Sequence, residues 1–93
     1  MDGFVERTAE RIRERVADFE ADTIRLPRLV ADLEVLIASL EGEAPDALVA
    51  DLQSAWWPLE LVNATAIEAG ASTLTSEQAE TVQNALARLL ALL

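Results

Sequence analysis

Apolar residues recur along this chain at intervals of three and four, and no run alternates at the interval of two that marks a strand. Val5, Ala9, Ile12, Val16 and Phe19 trace one stripe on a helix expected from about Phe4 to Glu20. Leu29, Val30, Leu33, Leu36, Ile37 and Leu40 make a second, flanked by Asp32, Glu34, Ser39 and Glu41. Pro27 opens that segment at a first-turn position, where its missing amide hydrogen costs nothing, and Gly42 closes it. The loop Glu41-Gly-Glu-Ala-Pro45 restarts the chain with Asp46 at the positive end of a third helix. That helix gathers Leu48, Leu52, Ala55, Leu59, Val62 and Ala66 on one side and stops at Gly70. Thr75-Ser-Glu-Gln78 fits a capping box for a fourth, with Leu74 placed to staple onto Ala79. Val82, Leu86, Leu89, Leu90 and Leu93 then run apolar to the carboxyl end. The pattern predicts an all-α antiparallel four-helix bundle, one domain over residues 1–93.

The stretch Ser54-Ala-Trp-Trp-Pro-Leu-Glu60 disturbs that regularity. At about 100° per residue, Trp56 falls at the border of the apolar side, and Trp57 falls nearly opposite, beside Leu61. Pro58 deletes a helical hydrogen bond and disfavours helical geometry at Trp57, so the third helix is expected to be kinked or split there. Two outcomes are open. A bend folds Trp57 back against the loop between helices, or it displays the ring at an elbow, where Glu60 would suit an arginine or lysine of a partner. Asn63 falls near the inward side and is expected to hydrogen-bond backbone close to the kink.

Composition removes most catalytic equipment. The 93 residues contain no cysteine, histidine, tyrosine or lysine. The usual zinc ligands, the imidazole base, the thiol nucleophile and the Schiff-base amine are therefore absent. Glu34 with Glu41, or Glu77 with Glu80, could pair as carboxylates, but no metal-ligand pattern accompanies them, and neither an enzymatic centre nor a cofactor or metal is expected. No apolar run approaches the roughly 20 residues that span a bilayer, which makes a cytoplasmic location the expectation.

Charge changes the picture further. The net charge is −10, and its distribution is uneven. Residues 1–28 carry six of the seven arginines against seven acids, whereas residues 29–93 carry ten acids against Arg88 alone. Along the first helix, attraction runs at the three-residue spacing, through Arg7–Glu10, Glu10–Arg13, Arg11–Glu14 and Arg15–Asp18. Such acidity argues against nucleic acid or anionic lipid and favours a basic protein as partner. A saline habitat or selection for solubility produces the same excess.

The runs LPRLVADLEVLIASLEGE and SAWWPLELVNATAIEAGASTLTSEQ resemble small acidic helical proteins of bacteria that serve as immunity partners of secreted or contact-delivered toxins, a likeness spanning residues 26–93. The colicin nuclease immunity proteins are similar in length, acidity and helical architecture, but their tyrosine-containing recognition segment has no counterpart here. The resemblance implies tight one-to-one binding to a toxin domain at its active site or an adjacent surface. Under that expectation the contact candidates are Glu34, Glu41, Glu43, Asp46, Asp51, Trp57 and Glu60, with Asp51 and Glu60 sharing a patch only if a bend rotates them together. The alternative is a self-associating structural or adaptor protein, a homodimer whose aliphatic carboxyl end is covered by a symmetric copy.

Overall fold

In the computed structural model, which describes residues 3–93, the chain forms four helices: α1 (Gly3–Glu20), α2 (Leu26–Ala38), α3 (Asp46–Glu68) and α4 (Ser76–Ala91). Among the described residues there is no strand. Residues 1 and 2 of the domain expected over 1–93 lie outside the described residues. Each helix packs on the next in sequence, α1 on α2, α2 on α3 and α3 on α4. The molecule measures 40 × 23 × 19 Å. The 23 residues of α3 span about 34 Å at 1.5 Å each, so the helices follow the long axis and the short connectors reverse the chain, making neighbours antiparallel.

The stripes read from the sequence meet in one core. Ile12, Leu29, Leu33, Leu40, Leu52, Leu59, Leu86 and Leu89 are fully buried there, with Val16 and Val82 beside them. Phe19, Leu36, Leu48 and Trp56 are half-buried against it. On α4, Val82, Leu86 and Leu89 are buried and Leu90 and Leu93 half-buried, so the apolar carboxyl end docks within its own chain. Truncating a sealed leucine to alanine costs about 2–5 kcal/mol, and these positions therefore dominate the stability.

Helix ends follow local chemistry. Gly70 (φ 66°) terminates α3, with its amide donating to Ile67 (3.0 Å) and the Ala71 amide donating to Ala66 (2.9 Å). That pair of bonds is the Schellman arrangement. The same pair closes α1 around Asp22 (φ 61°), through Asp22 to Phe19 (3.0 Å) and Thr23 to Asp18 (2.8 Å). Helix α2 stops at Ala38, short of Gly42. Three-residue bonds from Leu40 to Ile37 and from Glu41 to Ala38 then tighten the chain into the turn where Gly42 takes φ 80°. The Thr75 hydroxyl accepts from the Gln78 amide (3.1 Å), and the Thr75 amide donates to the Gln78 side chain (2.9 Å), completing the capping box. Leu74, just before the cap, is half-buried against the core.

Helix α3 is not split at Pro58. It runs unbroken from Asp46 to Glu68 with the proline inside it. Pro58 removes the donor that the Ser54 carbonyl would otherwise receive, a penalty of about 3 kcal/mol. Ser54 is at the surface, where water is at hand. On the other side of the same turns Leu52, Ala55, Leu59 and Val62 are buried, and each large aliphatic contributes about 1.5–3 kcal/mol. Burial outweighs the lost bond.

On α1, two of the four anticipated ion pairs form, Glu10–Arg13 at 3.3 Å and Arg15–Asp18 at 2.7 Å. Arg15 also reaches Asp32 on α2 at 4.0 Å, and Arg28 holds Asp32 at 3.1 Å. These pairs are at least partly open to solvent and contribute modestly to stability.

A Cβ added at Gly70 meets no atom within 4 Å, so the cost of substitution is the backbone's alone. Gly70→Ala is expected to lower the unfolding free energy by about 1–2 kcal/mol, and Gly70→Asn by less, as read from urea midpoints. Thr75→Ala is expected to cost about 1 kcal/mol by the same measurement.

Candidate functional site

The two tryptophans divide their roles at the α2–α3 seam. Trp56 is half-buried, and its indole Nε1 donates to the Val30 carbonyl of α2 at 3.0 Å. One residue further, about 100° around the helix, Trp57 turns outward and is 54% exposed. Their ring centres are 6.1 Å apart with planes tilted by 52°. Of the two outcomes open to Trp57, the structure adopts display, on the flank of a helix that is not split. Leu61, one turn on, is 50% exposed and extends the apolar surface.

Carboxylates border this surface. A shallow depression of about 250 Å³ is lined by Glu34, Ile37, Gln53, Trp56 and Trp57, which brings Glu34 of α2 beside the exposed ring. Gln53 donates to Glu41, in the turn that follows α2, at 3.3 Å. Glu60 follows Trp57 by three residues and is half-buried, a neighbour of the ring on the α3 surface. Glu34, Trp57 and Glu60 are thus brought together, with Glu41 joined to the depression through Gln53. Glu43, in the connector, and Asp46, in the first turn of α3, are exposed and outlying. Asp46 shares nearly the face of Trp57, but about 16 Å along the helix axis. Asp51 and Glu60 are separated by about 180° on a continuous helix, so Asp51 stands on the far flank and does not join the patch.

The electrostatics are one-sided. Among the described residues every ion pair involves Glu10, Asp18 or Asp32. No arginine pairs with Glu34, Glu41, Glu43, Asp46, Asp51 or Glu60. Arg13, Arg15 and Arg28 pair with acids of α1 and α2, and no arginine among the described residues pairs with an acid of the patch. The patch can therefore offer carboxylate acceptors around an indole face, an arrangement that suits a guanidinium or ammonium group stacked on the ring. Among the described residues no group of three or more acids converges as a metal site requires, and no helix is long and apolar enough to cross a membrane.

Gln53 contributes to the depression without having been singled out by the sequence, and Ile37, read there only as core, also lines it, because their part depends on how α2 and α3 are aligned. Val35 and Ile67 are also exposed. Their signal was available, since both fall away from the buried positions of their helices at about 100° per residue. Asn63 is buried as anticipated, but its side chain makes no hydrogen bond with backbone near Pro58 or with any other described residue. Pro58 frees the carbonyl of Ser54, which lies nine residues before Asn63 and on an exposed side; the amide has no freed backbone within reach.

Comparison of the chain with family models, with curated proteins and with solved structures returns no match.

The division of labour between the indoles has a measurable consequence. Trp56→Ala is expected to destabilise the fold by about 3 kcal/mol, whereas Trp57→Ala should change it by less than about 1 kcal/mol; urea unfolding followed by far-ultraviolet circular dichroism distinguishes the two.

Proposed function

We propose that this chain is a small acidic binding protein that captures a basic protein through the α2–α3 face, acting as an immunity protein that inhibits a cognate bacterial toxin, with no reaction centre of its own. The observation that carries this reading is Trp57, more than half exposed and bordered by Glu34 and Glu60, with Glu41 held nearby through Gln53, none of the three paired with an arginine. The net charge of −10 steers a basic partner toward the surface, and the aromatic ring then supplies the desolvated anchor that steering alone does not give. Trp56 fixes the backbone beneath that anchor through its bond to Val30, so little ordering is left for the moment of binding. Resemblance to toxin-immunity proteins over residues 26–93 supplies the biological role, and the toxin's active site or an adjacent surface is the region to be covered.

Self-association is the weaker reading for a specific reason. The aliphatic stripe of α4, the strongest sequence argument for a second copy, is covered by the chain's own core. A symmetric contact through Trp57 would set each copy's Glu34 and Glu60 near the same carboxylates of the other, and like charges so placed repel.

The test is capture from the native host with salt varied. A basic toxin domain is expected to be retained, with affinity falling about 30-fold or more in Trp57→Ala. In Glu60→Lys the association rate and its salt dependence should both fall. Recovery of the chain alone, with a dimer mass by light scattering, would favour the structural alternative. A hydrolase or transferase activity that disappears on changing one carboxylate would refute both.

A further inference from the structure

A second cleft lies away from the tryptophan face, where the α1–α2 and α3–α4 connectors meet the end of α3. It encloses about 630 Å³, a size typical of small-molecule sites. Its walls are mostly apolar and include Phe19, Ile24, Leu26, Ile67 and Leu74, with Asn63 among them. The two left-handed helix stops frame it: Asp22 lines one side, and Ala71, just after Gly70, lines the other.

Asn63 is the feature the fold does not explain. It is only 9% exposed, on a helix otherwise buried there by Leu59, Val62 and Ala66. Its side chain has no hydrogen-bond partner among the described residues. Among the described residues no side-chain nitrogen or oxygen of a non-exposed residue is both sealed from solvent and unpaired, so the Asn63 carboxamide keeps its access to solvent, and the cleft it lines is the way out. A carboxamide offers two donors and an acceptor, and with no protein partner they are left to whatever enters the cleft, water included.

We infer that this cleft binds a small neutral amide carrying an apolar chain or ring. An amide group returns both kinds of hydrogen bond that Asn63 offers, while Phe19, Ile24, Leu26, Ile67 and Leu74 cover the apolar part. Charge selects the neutral form. Arg25 and Asp22 both line the cleft, so neither a cation nor an anion meets a field of one sign at its mouth, and the overall charge of −10 disfavours a free carboxylate. The cleft is independent of the tryptophan face: Ile67 follows Trp57 by ten residues, about 15 Å along α3.

Octanamide is the probe, with octanoate and N,N-dimethyloctanamide as comparators, titrated into isotope-labelled full-length protein and followed by nuclear magnetic resonance. Octanamide is expected to shift the Asn63 side-chain amide and the methyl groups of Ile24, Ile67 and Leu74 in a saturable way. Octanoate and the dimethyl amide, which lacks donors, should bind about tenfold more weakly or worse. Asn63→Ala should remove that preference. Ala71→Trp, at an exposed position on the cleft wall, should block all three compounds with the helical spectrum intact, which keeps the test decisive if Asn63→Ala fails to fold. Equal binding of the amide and its comparators, shifts centred elsewhere, or undiminished binding in Ala71→Trp would overturn the inference. Capture of a basic protein neither requires nor excludes these results.

Discussion

The continuity of α3 through Pro58 is the constraint on which the rest of the molecule depends. Helix α3 packs against both α2 and α4, so a break at its middle would separate the two halves of the core. The proline subtracts one backbone bond at an exposed turn, and the buried leucines on the opposite side hold the rod together. Everything functional inherits its position from that outcome. An unbroken helix puts Trp56 on α2, Trp57 on the outside, Asp51 away from Glu60, and Asn63 with Ile67 on the wall of the terminal cleft.

Much of the fold was legible because it rests on local rules. The three-and-four spacing of Ile12, Leu33, Leu59 and Leu86 with their neighbours named the core. Thr75 with Gln78 marked a helix start through reciprocal bonds, and Gly70 marked a stop through its positive φ. Asp22 was not recognised as a stop of the same kind, because aspartate adopts the left-handed region far less often than glycine and carries a weaker signal. Pro58 was the reverse case. Local propensity argued for a break, and tertiary burial overrode it, a competition no single residue type reveals.

The candidate site was legible in its parts and not in its assembly. Trp57, Glu60 and Leu61 share a surface by helical spacing alone, which a sequence can show. That Glu34 of α2 lies beside the Trp57 ring, and that Gln53 ties Glu41 to the same region, depends on the axial alignment of two helices, set by their packed side chains and by the bond from Trp56 to Val30. Asn63 illustrates the same limit. Its burial followed from its place on the helix, but the cleft that gives its amide an outlet is built by connectors distant in sequence.

The adjacency of the indoles carries one more consequence. At 6.1 Å, the rings are close enough for excitation to pass between them, one anchored inside and the other facing solvent. Light emitted by the sheltered ring therefore responds to whatever settles on the exposed one. The molecule carries an intrinsic optical gauge of occupancy on its acidic face, with no added dye and no other aromatic residue but two phenylalanines to confuse the signal.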